Sequence, residues 1–198
     1  GDRIVWRELC EWSRREGRVR ARRQERLGAL VLRDEHWRDV DPGALAAAAL
    51  EGVRDLGLGA LGGQSGLELL RARLAVARMD LDQDGAEVGA GEGGSEGAGE
   101  GASEGAPDDA QDRADLPDPG APALLATAEH WLLPHLTRVR TAADLGAVDA
   151  GAALRQSLDW SLGQLLDRLA PPHYVSPLGR RRAIVYGGAV PEFALRLQ

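Results

Sequence analysis

The sequence predicts an α+β chain: the end of a strand-rich domain, then helices, then a helical region that finishes in a small sheet or β-hairpin. Three observations predict it. Apolar and polar residues alternate between Ile4 and Leu32, leucine and alanine recur at helical spacing from Asp41 onward, and a glycine- and glutamate-rich stretch divides the helices. A period of two marks a strand with one packed face, and a period near 3.6 marks an amphipathic helix.

Residues 1–40 carry the strand signals. RIVWRELCEW, a polar turn from Ser13 to Gly17, then RVRARRQ and RLGALVLR read as two or three antiparallel strands, with Val19 and Ala21 alternating against Arg18, Arg20 and Arg22. So few strands make a marginal fold, which predicts the tail of a sheet or barrel whose earlier strands lie upstream of Gly1. The single cysteine, Cys10, suits a packed thiol here, and one cysteine excludes an intrachain disulfide or a multi-cysteine zinc site.

Residues 41–79 read as a helical hairpin. Asp41 and Pro42 supply an N-cap and a first-turn proline, and Gly57 supplies a stop. A second helix, Ser65 to Met79, buries Leu67, Leu70, Leu74 and Val76 or Ala77. Residues 80–121 hold almost no large apolar side chain and cannot offset the entropy of ordering, so they are expected to be a disordered acidic insertion from which 84–116 can be deleted harmlessly. Residues 122–198 return to helix, with Leu124, Leu125, Ala128, Trp131 and Leu132 on one side and Pro134 as the break. A short helix from Thr141 to Leu145 and one long helix from Asp149 to Leu169 follow, the latter presenting Leu154, Leu158, Leu162, Leu165, Leu166 and Leu169. Trp131 and Trp160 are expected in the core. The end reads as strand, turn, strand, a turn at Gly187-Gly188 and a further strand.

The net charge of −7 divides unevenly. From Asp80 to Asp118 there are 13 acidic residues and one arginine, so the rest of the chain sums to +5. Arg3 to Arg33 holds ten arginines against four glutamates. All 24 basic residues are arginine, so no Gly-Lys-Ser/Thr phosphate loop exists and no ATP site of that kind can form. There is no Gly-x-Ser-x-Gly elbow, Asp34-Glu35-His36 reads as a polar turn after a strand, and His36, His130, His135 and His173 lack metal-ligand spacing. No apolar run reaches the ~18 residues of a membrane span, and the start lacks a signal-peptide pattern, so a cytoplasmic location is expected.

Arginine is what remains for function. Strand alternation puts Arg18, Arg20 and Arg22 on one exposed face, with Arg23 and Arg26 beside them, where they could track phosphates without reading sequence. Arg180, Arg181 and Arg182 form a second basic cluster at a turn. The expected partner is single-stranded RNA or another nucleic acid. The competing reading is an ordinary solvated face, or one salt-bridged to another domain.

Several segments carry a resemblance. GRVRARRQERLGALVLRD at 17–34, Ala49-Leu50-Glu51-Gly52 with LGLGAL at 56–61, LRARLAVAR at 70–78, PALLATAEHWLLPHLTRVRTAADL at 122–145, and the order Pro172, Pro177, Gly179, Tyr186, Pro191, Gln198 resemble the region after the motor in HrpB-type helicases, a DEAH-box-like branch of superfamily 2. The resemblance implies that residues 1–40 end an OB-like domain and that 122–198 are the family's C-terminal domain, truncated at its end. It implies an accessory role beside an ATP-driven motor upstream in the same polypeptide, which would bring ATP and magnesium; this chain needs no cofactor of its own. The alternative is a protein-docking module of a helicase-like protein without RNA contact. The chain departs from the family pattern in its long acidic insertion and in Ser176-Pro177-Leu178-Gly179, where a proline-serine-glycine-like turn is usual.

Without a lysine-bearing phosphate loop, the isolated chain should turn over no ATP above buffer background, with or without RNA. A phosphate-release assay showing RNA-stimulated turnover would overturn this.

Overall fold

Two tight turns set the first sheet. At Gly17 (φ 61°) the backbone N–H donates to the Ser13 carbonyl at 2.8 Å, and at Gly28 (φ 59°) the chain reverses again, both in the left-handed region that favours glycine. They join β1 (Ile4–Ser13), β2 (Arg18–Leu27) and β3 (Leu30–His36) into an antiparallel meander in that order. β1 and β2 pair without interruption from Ile4↔Leu27 to Ser13↔Arg18. Between β2 and β3 the register shifts at Glu25/Arg26. The structure, a computed structural model, describes residues 3–87, 115–177, 179–186 and 192, with the backbone alone for 80–87. They divide into two compact units, one of residues 1–67 and 121–157, the other of 68–120 and 158–198.

In the first unit, the helix α1 (Pro42–Leu56) covers one half of the meander. Its N-terminus is closed by the Asp41 carboxylate, which accepts from the Ala44 N–H at 3.0 Å, and it stops at Gly57 (φ 82°), as its sequence signals predict. The seam is a small apolar cluster of Ala21, Val40 and Leu45, with Cys10, Val19, Trp37 and Ala44 packed against it. Burial pushes the Cys10 thiol up from its ordinary value, against the opposing pull of Arg140, as expected of a packed thiol. Trp12 lies so close over Gly52 that any Cβ there would meet the indole at 2.7 Å. Among the described residues nothing comparable covers the other half of the sheet, and Ile4, Val5, Trp6, Leu30, Val31 and Leu32 are exposed.

The first unit is completed by short helices. The run from Pro122 breaks into α3 (Ala121–Ala126), α4 (Ala128–Trp131) and a 3₁₀ turn at Leu133–His135, because the Thr127 hydroxyl donates back to the Ala123 carbonyl at 2.9 Å and Pro134 cannot continue the ladder. Trp131 is buried and its indole N–H donates to the Leu124 carbonyl at 3.0 Å. Thr141 and Asp144 form a reciprocal capping box on α5 (Ala142–Leu145).

The expected long helix is two. α6 (Ala150–Ser157) ends, and Asp159 opens α7 (Trp160–Leu169) by accepting from the Leu162 N–H and the Ser161 hydroxyl, both at 2.8 Å. A leucine stripe that is continuous in sequence thus conceals an N-cap inside it. Trp160, expected in the core, is the first residue of α7 and is 81% exposed.

The second helix is longer than its sequence suggests. α2 runs from Gln64 to Glu87, eight residues into the stretch read as insertion, and its stripe is Leu67, Leu70, Leu74 and Ala77 rather than Val76. In the second unit its arginines reach backbone carbonyls: Arg71 to Pro119 at 2.6 Å, Arg73 to Ala170 at 2.6 Å and Arg78 to Leu116 at 2.5 Å. Leu116 is only 2% exposed. Residues 115–120 therefore belong to the packed structure, and the expected insertion contracts at both ends; its remainder, 88–114, lies outside the described residues. α7 leads into an antiparallel pair, β4 (His173–Val175) and β5 (Arg181–Ala183). The expected turn at Gly187-Gly188 lies outside the described residues, and beyond β5 a bridge joins Val185 to Glu192.

Leu116→Ala should cost about 2–5 kcal/mol, the range for a fully buried leucine, whereas deleting 88–114 and keeping Leu116 should leave the unfolding midpoint in place. Urea denaturation of the two variants checks this, and a harmless Leu116→Ala would show that the anchor is not structural.

Candidate nucleic-acid interface

The pleat of β2 sorts its arginines. Val19 and Ala21 turn toward α1, so Arg18, Arg20 and Arg22 share the opposite face, as the alternation predicts. Arg23 does not join them. It sits on the other face, paired in register with Glu8 at 3.4 Å and stacked over the Trp6 ring at 5.2 Å from its centroid. Arg26 falls at the register shift and spends one amine on the Ala29 carbonyl at 3.4 Å.

A groove of about 240 Å³ lies along this face, lined by Arg18, Arg20, Arg22, Asp34 and His36 among others. It exists because β3 stops opposite Arg22, leaving the first part of β2 without a partner from β3. The free edge is taken up in part by residues distant in sequence: the Val19 N–H donates to the Arg140 carbonyl at 2.7 Å, and Arg18 bridges Thr141. Arg140 is thus brought beside the arginine strand, a placement with no local signal in the sequence.

The three arginines of this face are paired. Arg18 and Arg20 share Glu16 at 2.8 and 3.6 Å, and Arg22 meets Asp34 at 2.7 Å, with Gln24 donating to the same carboxylate. The hydrogen bond from Arg18 holds the Glu16 carboxyl below its ordinary value, reinforced by the charges of Arg20, Arg18 and Arg15. These pairs are solvent-exposed, so water and salt screen them and they hold the side chains only weakly. Asp34-Glu35-His36 lies in β3 rather than in a turn after it, with Asp34 acting as a counter-ion.

Arg180, Arg181 and Arg182 lie elsewhere, on the β4–β5 hairpin of the second unit, and all three are exposed. Among the described residues no cluster of three or more histidine, cysteine, aspartate or glutamate side chains is placed to hold a metal ion, and no helix is long and apolar enough to cross a membrane.

Comparison with known proteins places this arrangement in context. Residues 3–37 match a sequence model described as the connector region of the ATP-dependent RNA helicase HrpB, and residues 131–198 match one described as an ATP-dependent helicase C-terminal domain; together they take in more than half of the chain. The ATP-dependent RNA helicase HrpB of Escherichia coli (strain K12) is 32% identical over 192 residues, which is 96% of this chain and 20% of that protein. The crystal structure of the E. coli DExH-box NTPase HrpB is similar over 98% of the chain and 20% of its own length, at 29% identity and a TM-score of 0.57. A crystal structure of the E. coli DEAH/RHA helicase HrpB gives 30% identity, a TM-score of 0.58, and 98% and 21% coverage. The chain thus spans about a fifth of the length of the relatives it matches. Its mixed helices and small sheets, its order of elements and its sequence agree on one assignment: the chain belongs to the HrpB helicase family, as a C-terminal region running from the connector into the C-terminal domain.

Proposed function

We propose that this chain is the accessory C-terminal region of an ATP-dependent RNA helicase and helps the motor hold or guide single-stranded RNA. In this reading the motor lies upstream in the same polypeptide and brings ATP and magnesium, β1–β3 are the closing strands of an OB-like domain, and the protein works in the cytoplasm. One observation carries the nucleic-acid part: Arg18, Arg20 and Arg22 share the face of β2 turned away from the apolar seam with α1, along an open groove. Guanidinium groups in a row on one strand suit a polyanion backbone, which they grip without reading bases.

A second reading, docking onto protein, is favoured by a different observation. The uncovered half of the sheet exposes Ile4 and Val5 on β1 and Leu30, Val31 and Leu32 on β3. Consecutive apolar residues point to opposite faces of a strand, so both faces there lack cover.

Salt separates the readings. In the full-length protein, replacing Arg18, Arg20 and Arg22 by glutamine should lower the logarithmic salt slope for single-stranded RNA by about two, at roughly 0.7 per phosphate, and weaken all sequences alike. Glu16→Gln should do the reverse and tighten binding, because it frees Arg18 and Arg20. A slope and affinity unmoved by either change would take these arginines out of the site and leave docking as the role.

A further inference from the structure

The hairpin of the second unit differs from the β2 face in one respect that bears on binding: among the described residues its arginines have no counter-ion. Between His173 and Tyr186 there is no acidic residue, and among the described residues no ion pair involves Arg180, Arg181 or Arg182. On β2 a phosphate must first displace Glu16 or Asp34. On the hairpin no described carboxylate has to be displaced.

The register arranges these arginines with an aromatic ring. His173 pairs with Ala183, Tyr174 with Arg182 and Val175 with Arg181, and the ladder extends one step further, since the Ser176 N–H donates to the Arg180 carbonyl at 2.9 Å and the Arg180 N–H to the Ser176 hydroxyl at 3.2 Å. Residues opposite each other share a face, and faces alternate along the strand. Tyr174, Ser176, Arg180 and Arg182 therefore lie on one face, and His173, Val175, Arg181 and Ala183 on the other. Every residue of both strands is exposed. A two-stranded ribbon is marginal by itself, and this one is held at its base: the Tyr186 hydroxyl donates to the Pro171 carbonyl, the Ile184 N–H donates to the Pro172 carbonyl at 3.1 Å, and Arg73 fixes Ala170 just before it. The result is a fixed base carrying an exposed ribbon.

We propose that this hairpin is a contact for single-stranded nucleic acid in its own right, in which Tyr174 stacks on a base while Arg180 and Arg182 hold the adjoining phosphates. A ring flanked by unneutralised guanidinium groups on one ribbon face is the combination by which sequence-tolerant single-strand binders work: a π-face accepts any base, and the cations follow the backbone. The hydroxyl of Ser176 adds a hydrogen-bonding group to the same face. The inference deepens the nucleic-acid reading above and rests on it for the class of ligand, but on none of its residues.

The test uses the full-length protein and a twelve-residue oligouridylate, with an abasic oligomer of equal charge as the second ligand, both titrated by fluorescence anisotropy. Tyr174→Leu keeps an apolar side chain and removes the ring. It should weaken oligouridylate about five- to 150-fold, the measured range for one stacked base, and leave the abasic oligomer and the salt slope unmoved. Arg180→Gln with Arg182→Gln should weaken both ligands and lower the salt slope by about 1.4. Val175→Thr, on the opposite face, should change neither, and matching melting curves establish that each variant folds. Loss of affinity in the arginine pair with Tyr174→Leu inert would make the hairpin a general polyanion patch and overturn the stacking. If only the Arg18, Arg20 and Arg22 variant weakens RNA, the hairpin inference fails and the proposed function stands; if neither set has an effect, both fail.

Discussion

The second unit depends on Arg73. It is the one charged side chain buried among the described residues, at 6% exposure, and it sits in the middle of α2 where leucines would be expected. Its Nε donates to the Ala170 carbonyl and its Nη2 meets the Asp167 carboxylate at 2.5 Å, both at the C-terminal end of α7. That end presents unpaired carbonyls and the negative pole of the helix dipole, so a guanidinium there satisfies a backbone acceptor and a compensating charge together. Removing it would strand a buried carbonyl rather than merely delete a contact, and the asymmetry between making and losing such a bond is what commits α2 and α7 to each other. The hairpin follows α7 after two prolines, so its base inherits this constraint.

A chain without lysine uses arginine for three different tasks. Arg71, Arg73 and Arg78 on α2 are structural and end on carbonyls. Arg18, Arg20, Arg22 and Arg23 on β2 are held by carboxylates of neighbouring strands or turns. Arg180, Arg181 and Arg182 stand exposed without an acidic neighbour in the hairpin. Residue type alone distinguishes none of these groups, and local charge misleads, since the most basic segment of the sequence is also the one whose charges are most fully paired.

Legibility followed the range of the determining interaction. The cap at Asp41, the stop at Gly57, the capping box of Thr141 and Asp144 and the alternation of Val19 and Ala21 are written within a few residues, and each could be read directly. The split between α6 and α7 was also local, but Asp159 lay within an unbroken leucine stripe, and a period argument weighs apolar spacing above a single cap. Trp160 is exposed for the same reason, because its position at the start of a new helix turns it outward. Leu116 and Arg140 were beyond reach: the first is buried and its carbonyl is held by Arg78, 38 positions away, and the second reaches β2 across more than a hundred residues. Of the candidate arginines, the sharing of one face was legible and the pairing with Glu16 and Asp34 was not. Arg23 was grouped by proximity in sequence, which a pleated strand contradicts at every odd step.

The Arg78 contact to Leu116 has a consequence for how this part of the chain can change over time. Helix α2 carries the chain out to Glu87, and the returning segment is caught at Leu116 by a side chain nine residues back along that helix, a rise of roughly 14 Å. Departure and return are thus tied to one rigid rod, and the distance between them does not depend on how many residues lie in between. Closure entropy grows only logarithmically with that number. Insertions and deletions here need not shift the register of the packed elements on either side, so the length of this segment can drift without repacking its neighbours.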